Sequence, residues 1–144
     1  MKTLLKFASV AFLLASCSSS DHSGCPVCHW IHGGPAEIDP AEMNAIVAGH
    51  KTILVDARAN STCEDGERIP GAIGLGCDTE EAAILAALPD KNAAIVIYCN
   101  GPQCPKAGKL AHRLTYLDYK NVSVYKPGIK GWKAAGGQIA PKAP

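Results

Sequence analysis

The side chains best placed to do chemistry are two cysteines five positions apart, Cys99 and Cys104. Cys99 follows an apolar, β-branched run, Ile95-Val96-Ile97-Tyr98. Beyond it the chain turns through Asn100, Gly101, Pro102 and Gln103 to Cys104-Pro105. A helical pattern then begins, with Ala107, Leu110, Ala111, Leu114 and Leu117 at helical spacing. The stretch from Ala94 to Leu117 therefore reads as buried strand, tight loop and amphipathic helix. Cys99 falls at the strand end, with Cys104 at the cap and Pro105 at the first helical position. In a parallel sheet this is the edge where ligands bind. Loop amides and a helix start converging on one sulfur stabilise a thiolate or a bound anion, and such a setting makes a thiol nucleophilic at neutral pH. Lys106 falls in the first turn, where the helix dipole disfavours a cation. It reads either as a ligand for an anion or as part of a solvated stripe with Lys109 and Arg113.

The rest of the chain supplies elements to hold this loop. Asp39-Pro40-Ala41-Glu42 is a helix start, followed by an apolar stripe of Met43, Ile46 and Val47. Thr52 to Val55 is a strand ending at Asp56-Ala57-Arg58, and Asn60 to Glu67 is a polar loop. Ile69 to Ile73 leads into a short strand ending near Leu75. Asp78-Thr79-Glu80-Glu81 reads as a second capping box, opening a helix through Ile84, Leu85 and Leu88. Asn121 to Tyr125 is a last strand and Gly128 to Ala135 a short closing helix containing Trp132. Strands alternating with helices predict an α/β fold, a parallel sheet covered on both faces.

The chain has 144 residues, of which about 110, from near Gly33 onward, suffice for one compact domain. The start reads as an export signal: Lys2 and Lys6, then an apolar Phe7 to Ala15 too short to span a membrane. Without Lys2 and Lys6 the net charge falls from +1 to −1, so global charge points to no nucleic-acid partner. The distribution is uneven. Asp21 to Tyr98 holds twelve acidic and four basic residues, whereas Cys99 to the end holds one acidic and eight basic. The half that carries the loop is therefore basic, either as an anion-attracting surface or as a solvated helix face and lysine-rich tail.

Two resemblances sharpen this reading. Leu14-Ala15-Ser16-Cys17 resembles the lipobox of bacterial lipoproteins, which implies cleavage before Cys17, lipidation of Cys17 and a serine tether beyond it. The chain would then sit on the periplasmic side of a bacterial membrane, and by the same analogy the outer membrane is favoured. The stretch from about Ile38 to Ile139 resembles a single rhodanese-like domain. Leu54-Val55-Asp56-Ala57-Arg58 is similar to the family's Asp-x-Arg strand end, and Arg68-Ile69-Pro70-Gly71-Ala72-Ile73 to its His-Ile-Pro-Gly-Ala segment. Ile97-Tyr98-Cys99 with its short loop is similar to the active site, and Gly128-Ile129-Lys130-Gly131-Trp132 to the closing Gly-x-x-x-Trp helix. The resemblance implies a three-layer fold around a parallel sheet of about five strands. It also implies sulfur transfer without a cofactor: Cys99 carries a sulfane sulfur as a persulfide and passes it to a thiophilic acceptor. On this reading the amides of Asn100, Gly101, Pro102, Gln103 and Cys104 form the anion cradle, and the loop from Cys99 to Cys104 has six residues, a length the family associates with sulfur. Asp56 and Arg58 read most simply as structural, fixing the strand end by hydrogen bonds, and alternatively as facing the pocket; Arg58 on that alternative, with Lys106, is a candidate substrate-binding residue, and the substrate is a small sulfur-containing anion or thiol. The boundaries are then 1–16 for the signal peptide, 17–35 for the tether, 36–140 for the domain and 141–144 for a tail.

The chain departs from the family pattern in two places. The sixth loop position, usually Arg followed by Ser or Thr, is Cys104-Pro105. This removes a fixed fork for an oxyanion such as thiosulfate. Arg68 with an extra residue stands where many members have His, which would alter the pocket rim. Cys104 also opens a second chemistry. As a resolving thiol it can close a disulfide with Cys99, making the domain a thiol/disulfide module for a periplasmic redox partner. Cys63 and Cys77 flank the Ile69-Pro70-Gly71 segment and are a candidate pair. Cys25-Pro26-Val27-Cys28-His29 fits three uses: covalent haem c with His32, Met43 or His50 as second ligand, a redox disulfide, or a metal site with His32.

Overall fold

The computed structural model describes residues 35–62 and 64–142. The expected signal peptide, the lipidation site Cys17, the Cys25/Cys28/His29 motif, His32 and Cys63 lie outside the described residues.

Eleven elements follow in order: β1 (Ala36–Glu37), α1 (Pro40–Gly49), β2 (Ile53–Asp56), β3 (Glu67–Arg68), β4 (Ile73–Gly74), α2 (Glu81–Ala87), β5 (Ala94–Tyr98), α3 (Lys106–Tyr116), β6 (Asn121–Tyr125), α4 (Gly128–Ala134) and β7 (Ala140–Pro141). Five strands form one sheet in the order β1-β6-β5-β2-β4, every pairing parallel. β3 and β7 form a separate antiparallel pair. β1, β3 and β7 have two residues each, too short for any periodicity to be read from sequence.

Alternation along β5 divides the core. Ile95, Ile97 and Cys99 face one cluster, with Ile84 and Leu88 from the α2 region and Ala107, Leu110, Ala111 and Leu114 of α3. Val96 and Tyr98 face the other, with Met43 of α1 and Ile129 and Trp132 of α4. β5 is the middle strand, covered on both faces, which is why it reads as a continuous apolar run. The stripe on α3 is the one its sequence predicts. Leu110 and Leu114 are both fully buried, and each such burial contributes about 1.5–3 kcal/mol.

Local start signals fare unevenly. Asp39 caps α1 as expected, its carboxylate accepting from the Glu42 N–H at 2.8 Å, with Pro40 in the first turn. The second capping box does not form: α2 starts at Glu81 behind Glu80, with no side-chain cap. α3 begins at Lys106, so Pro105 rather than Cys104 occupies the cap. No side chain caps the first N–H groups of α3.

Candidate active site

All five strands of the main sheet run parallel, so their C-terminal ends share one edge, and a cleft of about 560 Å³ opens there. It is lined by Cys99, Gly101, Pro102 and Cys104 of the loop, Ala107 and Gly108 in the first turn of α3, Ala36 and Glu37 of β1, and Val124, Tyr125 and Lys126 at the end of β6. Cys99 lies at its floor with 2% of its surface exposed, while Cys104 is half-buried. The two are joined as a disulfide, with Cα atoms 6.3 Å apart. That separation lies inside the range a disulfide accepts without backbone movement. Among the described residues the remaining cysteine, Cys77, is a free, half-buried thiol. The proposed Cys63–Cys77 pair has one member outside the described residues.

Three backbone hydrogen bonds hold the loop. The Cys104 N–H donates to the Gly101 carbonyl at 3.0 Å, closing a turn. The N–H groups of Ile129 and Lys130, at the start of α4, donate to the carbonyls of Cys99 (2.9 Å) and Asn100 (3.1 Å). Such close docking of α4 requires glycine at position 128. Its φ is +62°, and a Cβ there would lie 2.5 Å from the Cys99 oxygen and 2.6 Å from the Gly101 nitrogen. The Gly-x-x-x-Trp segment thus has a physical meaning. Glycine lets the helix start press on the active loop, and Trp132, buried and donating to the Gln138 carbonyl at 2.7 Å, anchors the helix to the far side of the core.

The expected ring of amides is thinner than the sequence suggests. Pro102 has no N–H, and that of Cys104 is spent on Gly101. The loop amides left for an anion are those of Asn100, Gly101 and Gln103. The side chains of Asn100 and Gln103 do not line the cleft. Lys106 holds the first position of α3, half-buried, and is likewise absent from the lining. The cation that lines the cleft and the one that packs beside Gly101 come from the β6–α4 region. Lys126 lines the cleft and pairs with Glu37 at its mouth. Lys130 passes beside Gly101, its Cδ 4.0 Å from where a Cβ would stand. Sequence reasoning missed Lys126, Glu37 and the supporting role of Gly128. The signal for Lys126 was available in the strand register: Tyr98 pairs with Tyr125, so the residues that follow, Cys99 and Lys126, leave the sheet side by side.

Arg58, a candidate substrate ligand, belongs elsewhere. It is fully buried, and its guanidinium binds Asp56 (3.1 and 3.0 Å), Asp65 (2.8 Å) and the Glu67 carbonyl. Burial opposes its charge, but the two carboxylates outweigh burial and hold its pKa above the ordinary arginine value. Tyr98 completes the cluster by donating to Asp56 and accepting from the Ile69 N–H, both at 3.1 Å. Burial, reinforced by the Asp56 charge, pushes the Tyr98 hydroxyl up from its usual pKa. Arg68 is also not a pocket-rim residue. It is 8% exposed, pairs with Glu64 at 2.7 Å and crosses Gly74, where a Cβ would lie 2.2 Å from the guanidinium. The Asp-x-Arg motif and the residue ahead of Ile-Pro-Gly therefore make one buried ionic staple, which ties β2, the 60–68 segment and β5 together. Removing one partner from a buried pair of this kind costs about 3–5 kcal/mol.

The comparisons with known proteins agree with this architecture. The BH2092 protein from Bacillus halodurans superposes with a TM-score of 0.66 at 26% identity, over 74% of this chain and 77% of that one. The rhodanese-like domain of the Anabaena protein Alr3790 gives a TM-score of 0.57 at 20% identity, over 75% and 79% of the two chains. The thiosulfate sulfurtransferase from Pseudomonas aeruginosa gives 0.62 at 19% identity; it covers 82% of this chain, which spans only 22% of that enzyme. No curated protein matches the chain significantly. The model of the rhodanese-like domain matches residues 39–135, from the cap of α1 to the end of α4. With a five-stranded parallel sheet, a cysteine loop at its edge and a closing helix packed against that loop, the chain belongs to the rhodanese-like domain family.

Proposed function

We propose that the dithiol form of this domain is a sulfurtransferase. The Cys99 thiolate attacks the sulfane sulfur of a donor; the bond from that sulfur to the rest of the donor breaks, and its electron pair leaves with the donor. The resulting persulfide is attacked at its outer sulfur by a thiophilic acceptor, and the Cys99 thiolate departs. One observation carries this reading: a cysteine at the floor of a cleft, at the C-terminal edge of a parallel sheet, inside a six-residue loop braced by a second helix start. Family membership supports it. The donor follows from the lining. With Arg58 committed to the core and cysteine at the sixth loop position, the described residues lining the cleft include no planar fork for an oxyanion, so a persulfide donor, which carries no oxyanion group, suits it better than thiosulfate. Mass spectrometry of the reduced protein with such a donor checks this. The expected result is an adduct of about 32 Da on Cys99, absent in Cys99→Ser. Failure with several donors overturns the proposal.

The Cys99–Cys104 disulfide favours a second reading, in which the pair exchanges electrons with a periplasmic partner protein. That reading fails if Cys104→Ser keeps full activity while Cys99→Ser loses it. We further propose the periplasmic, lipid-anchored setting described above, supported by Lys2, Lys6, the Phe7–Ala15 run and Cys17. Cys17→Ser should move the protein from the membrane to the soluble fraction. For Cys25, Cys28 and His29, a Soret band after expression with haem maturation supports haem c, and its absence discards it.

A further inference from the structure

We propose that Cys104 is a catalytic residue that discharges the Cys99 persulfide as hydrosulfide, making the domain a dithiol-dependent reductase of sulfane sulfur. This rests on the sulfur-transfer reading of Cys99 above.

Three observations converge. First, the loop backbone already holds the two cysteines at bonding separation, with Cα atoms 6.3 Å apart and the disulfide closed. Attack of Cys104 on the inner sulfur of a Cys99 persulfide forms this same bond, so the step asks for no backbone rearrangement. Second, the loop is braced: the Gly101–Cys104 turn and the two bonds from α4 hold its backbone through groups other than the sulfurs. A nucleophile positioned in this way has a large advantage over one arriving from solution. Third, access is unequal. With the disulfide closed, Cys99 is 2% exposed in the cleft, whereas half-buried Cys104 lines the same cleft and needs no path from solvent to reach it.

The step balances. The Cys104 thiolate attacks the Cys99 Sγ. The bond between Sγ and the outer sulfur breaks, and its electron pair leaves with the outer sulfur, which takes a proton and departs as hydrosulfide. The sulfane sulfur gains two electrons, and the two cysteine sulfurs lose two in forming the disulfide. An external dithiol of the Cys-x-x-Cys class then resets the pair by thiol–disulfide exchange and is itself oxidised to a disulfide. Hydrosulfide is a better leaving group than an alkyl thiolate, which favours release over reversal.

The test is a single turnover of the full chain, reduced and freed of reductant under nitrogen, with one equivalent of benzenethiosulfonate. This donor leaves as a sulfinate and contributes no sulfide of its own. Wild type should release about one equivalent of sulfide, and its Cys99–Cys104 peptide should be about 2 Da lighter than the dithiol. Cys104→Ser and Cys104→Ala, checked for folding by circular dichroism, should stop at the adduct of about 32 Da on Cys99 and release less than about a tenth as much sulfide. The wild-type result stands by itself should either variant fold poorly. A stable adduct on wild-type Cys99 without sulfide overturns the inference and leaves the sulfur-transfer reading standing, as does migration of the extra sulfur to Cys104. No adduct and no sulfide in any of the proteins overturns both.

Discussion

Replacing Gly128 with alanine separates two costs that usually arrive together. Gly128 and Gly136 both have left-handed backbones, with φ of +62° and +79°. At Gly136 an added Cβ meets nothing within 4 Å, so Gly136→Ala reports the conformational cost alone, about 1–2 kcal/mol. At Gly128 the same Cβ would stand 2.5 Å from the Cys99 oxygen, 2.6 Å from the Gly101 nitrogen and 2.7 Å from the Asn100 carbonyl carbon. All three are backbone atoms of the active loop, which cannot swing aside as a flexible side-chain tip can. Overpacking of this kind adds about 1–3 kcal/mol. Gly128→Ala should therefore lose about 2–5 kcal/mol, a large share of the stability typical of a domain this size. The clash should also push the loop off the start of α4, lengthening the Ile129 and Lys130 bonds to it and slowing capture of sulfur by Cys99. Urea denaturation of the two variants measures the difference in stability, and the rate of persulfide formation at a temperature where both are folded measures the loop. Equal losses of stability with equal rates would refute the claim that Gly128 supports the active loop.

The buried ionic staple gives a further expectation. Arg58→Lys keeps the charge but loses the fork that joins Asp56, Asp65 and the Glu67 carbonyl. It should lower stability by about 3 kcal/mol or more in denaturation experiments, while the folded protein loads Cys99 at an unchanged rate. A donor-specific rise in KM with unchanged stability would instead place Arg58 in substrate binding. The acid limb is set by two carboxylates. Burial raises the pKa values of Glu64 and Asp65, but this is outweighed by Arg68 and Lys142 at Glu64, and by Arg58 and the Glu67 N–H at Asp65, so both lie below the ordinary value. Folded pKa values below the unfolded ones mean that the contribution is present above about pH 4 and fades as pH falls through the folded values. Asp65→Asn should flatten that limb in pH-dependent melting; an unchanged slope would show that Asp65 does not contribute.

Much of the architecture was legible in the chain because it rests on local periodicity. The apolar run before Cys99, the stripe of α3 and the Asp39 cap of α1 each depend on residues close in sequence, and each stands as read. The alternation of strands and helices was enough to expect a parallel sheet, and with it a cleft at the C-terminal edge beside Cys99. What misled was local chemistry whose outcome depends on distant neighbours. The capping box at Asp78-Thr79-Glu80-Glu81 has the right residues, yet α2 starts at Glu81 with no side-chain cap. Arg58 takes the structural one of its two readings, held at the strand end by Asp56 and by Asp65 and Glu67 of a loop whose path no periodicity predicts.

Residue type and hydrophobic spacing alone pointed to Cys99 as the candidate nucleophile and to the layers that enclose it, because they carry that information directly. The folded chain was needed to show which partners hold Arg58 and Arg68, that Lys126 and Glu37 pair beside the cleft, and that α4 presses its first amides onto the loop through Gly128. The Lys126–Glu37 pair and the docking of α4 join segments about thirty to ninety residues apart through strand register, whereas Arg58 and Arg68 find Asp56, Glu64, Asp65 and Glu67 within nine residues, in a loop whose path no periodicity predicts. In both cases free energy is decided by which charges and amides find partners, and residue type alone does not say which.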